Sequence, residues 1–338
     1  MTPLLTVAIP TCNGTAHLAE ALHSILNQEC PPFDLLVSDD HSDDATVALV
    51  REIVGERARI VVNAERLGLA GNWNQCMALS RTPWVSIFHQ DDVMLAGHLA
   101  WVVREIDKIE ETKAPVGLIA VPTQVIDDRS NVIPETVELP QVLGVIPWPH
   151  VESMRLAPGD VCSWLRVDNP FRCSAVVTGR QAYNDVGGFD PSYRYVVDWD
   201  FWYRVARKWQ VHWRVEPATV RIRRHTGSET HRFKTGTDDL DETSRFLKSL
   251  YEQEDLSTRN LAWDRMWANR NLSRAYLNRA HEALRAGQIE LARSCLARAW
   301  SISSGKVLRT VATDPRLCAQ MAALALAPRL AGRWFGER

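Results

Sequence analysis

The sequence predicts an α/β fold: an open, largely parallel sheet flanked by helices, followed by a helical C-terminal appendage. Three observations predict it. Short apolar runs alternate with stretches of helical period through the first half, acidic pairs stand where two of those runs end, and helical period alone persists after about residue 236.

Residues 4–9 form an apolar run that reads as a first strand, and Leu18, Leu22, Ile25 and Leu26 then fall on one face of a helix. Residues 33–38 repeat the strand pattern. Ser42 or Asp43 can cap the next helix, which turns Val47, Val50 and Val54 inward. Residues 59–63 make a third strand, and a loop with Gly68 and Gly71 leads into a helix through Cys76 and Leu79. A strand over 84–88 precedes a long amphipathic helix carrying Leu99, Val102, Val103, Ile106 and Ile109, and residues 116–121 give one more strand. Sheets of this kind bind ligands at the carboxyl ends of their strands.

From 122 to 169 the periodicity fades, and Pro134, Pro140, Pro147, Pro149 and Pro158 interrupt it, which predicts a long excursion over the site. Order resumes with a strand over 173–177, a helix over 198–209 and two strands within 211–223. Beyond 236, Ala275, Ala280, Ala283, Gly287, Ala292, Leu296 and Ala299 resemble one tetratricopeptide-type helix pair. One pair cannot bury its own faces, so this region is expected to be an appendage docked on the main domain.

At 338 residues the chain exceeds one ordinary domain, and 46% hydrophobic with 24% charged residues is the composition of a folded globular protein. Its 39 basic and 41 acidic residues give no broad basic field, which argues against nucleic acid as a partner. The seven cysteines are scattered without a CxxC pair, the pattern of reduced thiols in a cytoplasm. No secretory signal opens the chain, and no stretch reaches about eighteen apolar residues. The tail 318–335 mixes Met321, Leu324, Leu326, Leu330 and Trp334 with Arg329 and Arg333. It is expected to pack as a terminal helix, with peripheral contact to the inner face of a membrane as the alternative. A homo-oligomer is left open.

Asp39-Asp40 follows the second strand and Asp91-Asp92 the strand over 84–88, so both pairs project at one sheet edge. Adjacent carboxylates repel unless a cation or donors compensate, and a divalent ion with oxygen ligands, Mg2+ or Mn2+, is the usual remedy. For Asp43 and Asp44 an equally good account is the favourable field of a helix N-terminus. The strand-end position of Asp39 and Asp40 favours contact with a ligand. There is neither a GxxxxGK phosphate loop nor a GxGxxG after the first strand, so neither an ATPase nor a dinucleotide dehydrogenase is supported. A metal on Asp91 and Asp92 would supply the missing counter-charge for phosphates.

Thr-Val-Ala-Ile-Pro-Thr-Cys-Asn-Gly at 6–14, Val-Ser-Asp-Asp-His-Ser-Asp-Asp-Ala at 37–45, Asn-Ala-Glu-Arg-Leu-Gly-Leu-Ala-Gly-Asn at 63–72 and His89-Gln90-Asp91-Asp92 resemble the donor half of family 2 glycosyltransferases. Gly-Gly-Phe-Asp at 187–190 with Val-Asp-Trp-Asp-Phe-Trp-Tyr-Arg at 197–204 resembles the acceptor half, and Arg223-Arg224-His225 the late histidine motif. The resemblance covers about residues 6–225. It implies a GT-A type, Rossmann-like mixed sheet in a catalytic domain over 1–235, with a donor half to about 120, an acceptor half from about 121, and a helical region over 236–338.

The resemblance further implies an inverting transfer of a monosaccharide from a UDP- or dTDP-type nucleotide sugar to a hydroxyl of a glycan or glycolipid, in surface polysaccharide assembly. Carried over by position, Pro10, Thr11, Asn13, Asp39, Asp40, Arg66, Asn72 and Asp91 would hold the nucleotide sugar. Asp92, Asp91 and His225 would hold the metal, and Asp198 would be the catalytic base, with an N-cap as its structural alternative. Asp200 and the rings of Trp164 and Trp199 would meet the acceptor. Two positions depart from the family pattern: His89 stands where Asp is common, and Val197 where Glu is. The rival readings are a nucleotidyltransferase, which the loop at 10–14 opposes by lacking Arg and Lys, and an inactive GT-A scaffold or binding protein.

Overall fold

The computed structural model describes residues 2–134, 152–228, 233, 235–253 and 259–313. Pro140, Pro147, Pro149 and the tail 318–335 lie outside them. The chain divides into two compact units: the first is 1–165 with 169–225, the second 166–168 with 226–338.

The first unit is built on an eight-stranded sheet. Its strands are β1 (Leu5–Thr11), β2 (Asp34–Asp39), β3 (Arg59–Val62), β4 (Trp84–Ile87), β6 (Val116–Ala120), β9 (Ser153–Leu156), β10 (Val176–Gly179) and β11 (Gln210–Arg214). They lie in the order β3-β2-β1-β4-β10-β6-β11-β9. The β1, β2, β3 and β4 neighbours are parallel, and β10 runs antiparallel between β4 and β6. The sheet is therefore mixed. Its helices are α1 (Leu18–Leu26), α2 (Thr46–Val54), α3 (Gly68–Leu79), α4 (His98–Thr112), α5 (Cys162–Leu165), α6 (Arg180–Val186) and α7 (Val197–Ala206).

The amphipathic patterns decide which faces are buried. Leu18, Leu22 and Ile25 of α1, with Leu99, Val102, Ile106 and Ile109 of α4, pack onto Leu5, Val7, Ile9 and Ile119 of the sheet. Each fully buried aliphatic side chain of this kind contributes about 1.5–3 kcal/mol.

The proline-rich excursion holds more order than its pattern predicts. A second sheet, β5-β12-β7-β8, joins β5 (Val93–Met94), β7 (Thr123–Ile126), β8 (Val132–Ile133) and β12 (Val220–Arg223). β12 runs parallel to β7 and antiparallel to β5, which brings Arg223 beside the acid motif. The predicted strand over 173–177 begins with a 3-10 turn, Cys173–Ala175, and pairing starts at Val176.

In the second unit, α8 (Asp238–Gln253), α9 (Arg259–Arg285) and α10 (Ile289–Thr313) form the predicted helical region. The small residues Ala280, Ala283, Ala292, Cys295 and Ala299 are buried where α9 and α10 pack, and Gly287 takes φ +73° at the turn between them. Among the described residues no helix is long and apolar enough to cross a membrane.

Candidate functional site

The carboxyl ends of β1, β2 and β4 meet at one edge. Thr11 donates to Asp39 Oδ2 at 2.8 Å, and Ser42 donates to both oxygens of Asp39, from its N–H at 2.8 Å and its hydroxyl at 2.6 Å. Asp40 accepts from the Leu67 and Gly68 N–H groups at 2.7 and 2.9 Å and from Asn63 Nδ2 at 3.0 Å. These N–H groups open α3, where a carboxylate is favoured. Both aspartates are buried, so donors rather than water stabilise the two adjacent charges.

Asn13, at φ +48°, turns the chain after β1; its side chain accepts from Asp43 N–H and its own N–H donates to Ser42 Oγ. Pro10 lies within β1, one residue before Thr11. The Gln90 side chain clamps the same loop, accepting from Cys12 N–H at 3.0 Å and donating to Cys12 O at 3.1 Å. A Cβ on Gly14 would fall 2.0 Å from Gln90 Oε1, so glycine is required for that approach. Asn72 is buried, its carboxamide accepting from Ser38 Oγ and Asn63 Nδ2 and donating to Ser38 O. It braces β2 against α3. Arg66 is half exposed, paired with Asp43 at 3.2 Å.

The motif after β4 is held by residues far away in sequence. Asp92 is buried; its two oxygens accept from Ser174 Oγ at 2.5 Å and Arg223 N–H at 2.9 Å. Burial, then the neighbouring Asp91 charge, pushes its carboxyl well above the usual range. Asp91 is the more open, and accepts from His225 Nε2 at 2.9 Å. Burial works to raise Asp91 too, but the His225 bond and the charges of His89 and His225 outweigh it, and its carboxyl titrates below the ordinary value. His89 stacks on Trp73 with ring centroids 5.3 Å apart, its Nε2 buried without a hydrogen-bond partner, and burial lowers its pKa. One ligand atom each from His89, Asp91 and Asp92 lies within 4.8 Å of the others.

Arg223 ties this cluster together. Besides its N–H on Asp92, the guanidinium donates to Asp91 O, Asp127 O, Ser130 Oγ and Glu20 Oε2, the last at 2.6 Å. Sequence reasoning held Gln90 and Arg223 within motifs without giving either a role, and passed over Ser174 and Glu20, which no local pattern marks.

Asp198 stands in the first turn of α7, whose N-cap is Val196. Its carboxyl is pushed up to about 6 by burial, against the opposing Arg172 charge and hydrogen bonds from Trp199 N–H and Asn169. Burial also raises the buried Cys173 thiol, with the Asp198 and Asp92 carboxylates adding to that rise. Asp200 grips Arg204, whose guanidinium donates to Val186 O and Gly188 O and fixes the Gly187-Gly188 turn. Trp164 and Trp199, expected to offer ring faces to an acceptor, are instead buried at 7% and 6% exposure. The Trp199 indole donates to Leu165 O, and Trp164 packs edge-on to Trp213. Their size and apolar faces go to joining α5 and α7.

The family model of glycosyl transferase family 2 matches residues 6–132. That match spans 127 of the 338 residues. The chain is 29% identical over 237 residues to an uncharacterized protein of Mycobacterium tuberculosis, covering 67% of itself and 68% of that relative. It is 29% identical over 109 residues to the GalNAc(5)-diNAcBac-PP-undecaprenol beta-1,3-glucosyltransferase of Campylobacter jejuni, covering 31% of itself and 35% of the relative. Its fold is similar to Staphylococcus aureus TarS 1–349 in complex with UDP-GlcNAc, with TM-score 0.57, 13% identity and 89% and 90% coverage. It is also similar to the mannosyltransferase of Pyrobaculum calidifontis in complex with GDP-Man and Mn2+, with TM-score 0.52, 18% identity and 99% and 88% coverage. At these identities the two structures speak to the fold, which is of the GT-A type.

Proposed function

We propose that this chain is an inverting family 2 glycosyltransferase that moves a monosaccharide from a UDP- or dTDP-type nucleotide sugar to a hydroxyl of a glycan or glycolipid in surface polysaccharide assembly. The observations that carry the reading are the buried Asp198 carboxyl, held at about 6, and the convergence of ligand atoms from His89, Asp91 and Asp92 within 4.8 Å. Together they would supply a proton acceptor and a cluster suited to a diphosphate.

In this mechanism the Asp198 carboxylate takes the proton of the acceptor hydroxyl as its oxygen attacks the anomeric carbon. The bond from that carbon to the diphosphate oxygen breaks on the opposite face, which inverts the centre. A base titrating near 6 is ionised at neutral pH and still basic enough to help. Asp39, Thr11 and Asn13, each bonded to one another or to Ser42, would receive the base and ribose, with Pro10, Asp40 and Arg66 as further donor-side residues. Asn72 acts through Ser38 and Asn63 rather than by touching the donor.

The residues present fit a divalent ion. The ligand atoms of His89, Asp91 and Asp92 converge within 4.8 Å, and His89 Nε2 has no partner. Mn2+ or Mg2+ would be held by Asp91 and Asp92, with His225 fixed on Asp91, and when bound would offset the charge of the diphosphate leaving group. The named activity of the Campylobacter relative, on a diphospho-undecaprenol acceptor, supports a lipid-linked substrate, although the chain spans about a third of that protein.

Screening nucleotide sugars with Mn2+ or Mg2+ tests the reading: one donor should be bound and slowly hydrolysed, and Asp92→Ala should abolish both. If no donor is bound or hydrolysed by the parent, and Asp92→Ala changes nothing, the reading is wrong.

A further inference from the structure

Three residues beside the acid cluster converge: His17 and Asp128, which belong to no motif of the donor site, and His225 of the late histidine motif. His17 lies in the loop before α1, Asp128 in the turn between β7 and β8, and His225 just after β12. His17 Nε2 is 3.1 Å from Asp128 Oδ1, and the rings of His17 and His225 meet edge to face with centroids 4.7 Å apart. One ligand atom from each of the three lies within 4.8 Å of the other two. We propose that His17, Asp128 and His225 form a second cation site, which takes a nitrogen-preferring first-row divalent ion of the Zn2+ class.

The spacing suits the chemistry. Zinc bound at about 2.0–2.2 Å to nitrogen and oxygen places neighbouring ligand atoms roughly 3.3 Å apart in a tetrahedron. The His17–Asp128 pair already stands near that distance. Closing the others requires movements of about an ångström, and Asp128, 72% exposed on its turn, has the freedom to make one. The imidazoles are largely enclosed, at 13% and 14% side-chain exposure, so little water competes for their nitrogens.

The surroundings supply what a metal-bound imidazole ordinarily has. Asp91 accepts from His225 Nε2 and fixes the ring, as a carboxylate does for a ligating histidine. Two imidazoles and one carboxylate leave a fourth position, the ligand count of an open zinc site. The nitrogen content separates this site from the acid cluster, where two carboxylates favour harder ions. Through Asp91 the two sites touch, so an ion here would hold the β7–β8 turn and the end of β12 against the donor edge.

The test uses the full chain, stripped with a chelator and free of nucleotide, titrated with Co2+ as a spectroscopic probe and with Zn2+ in competition. The parent should develop the intense visible bands of low-coordinate, nitrogen-ligated Co2+, and Zn2+ should displace them. His17→Gln should abolish the bands, and Asp128→Asn should weaken Co2+ binding by at least about tenfold. Asp128 is exposed, so that variant reports on ligation without endangering the fold. Absence of the bands from the parent, or equal affinity in parent and Asp128→Asn, overturns the proposal. Sugar-nucleotide turnover by the same samples is an independent readout, because its failure alongside intact Co2+ bands bears on the transferase mechanism alone.

Discussion

Replacing Asp198 with Asn should remove transfer and raise stability together, with a pH dependence set by burial. The fold holds the Asp198 carboxyl at about 6 against an ordinary value of 3.8, burial being the main cause. That interval corresponds to about 3 kcal/mol against the ionised form. Since the folded protein binds this proton more tightly than the unfolded chain, the neutral carboxyl carries no penalty below about pH 4. The penalty grows as pH rises and is complete above about 6. Asn has the same shape and cannot ionise. Asp198→Asn should therefore match the parent at pH 4 and exceed it at pH 8 by up to about 3 kcal/mol, a net figure in which the Arg172 attraction already offsets part of the burial penalty. Urea denaturation at the two pH values reads this difference. Transfer should fall by about 10²–10⁴ while donor binding, followed by calorimetry, is unchanged. A stability difference that does not move with pH, or an Asn variant weaker than the parent at pH 8, would refute the burial argument. Undiminished transfer would remove Asp198 as the base.

Two further substitutions test the scaffold of the site. Arg223→Met keeps the stem but strips the guanidinium from Asp91 O, Asp127 O, Ser130 and Glu20, and should cost about 3 kcal/mol in denaturation and abolish donor binding. A loss below about 1 kcal/mol would show that water replaces it freely. Gly14→Ala places a methyl 2.0 Å from the Gln90 side chain, which its two bonds to Cys12 hold in place, and should destabilise by about 1–3 kcal/mol. Adding Gln90→Ala should recover part of that loss, and a purely additive double variant would point to backbone strain instead.

Much of the fold was legible because it is written locally. The strands over 84–88 and 116–121 stand within a residue of their observed ends, and the inward faces of α1 and α4 follow from spacing alone. What could not be read is long-range pairing. Strands of two to four residues such as Val93–Met94 and Thr123–Ile126 carry no alternation, and they exist because β12 arrives from about a hundred residues away. The antiparallel course of β10 inside the sheet likewise has no local mark. In the site, the acid pairs were found from position, yet Ser174 and Arg223, which satisfy Asp92, come from elements 82 and 131 residues later. Trp164 and Trp199 show a different ambiguity: an aromatic face suits a sugar and a core equally, and both side chains are buried here.

The dependence of Asp92 on Arg223 also sets an order of assembly. During synthesis β1 to β4 and the acid motif emerge before the segment that contains Ser174, and Arg223 follows later still. Until then the motif has its carboxylates but neither donor that lets Asp92 be enclosed. A nascent chain stalled after the donor half therefore holds this edge open to water. The last strand of the small sheet supplies the N–H that completes the enclosure of Asp92, so the acid cluster reaches its final form only once that strand has paired.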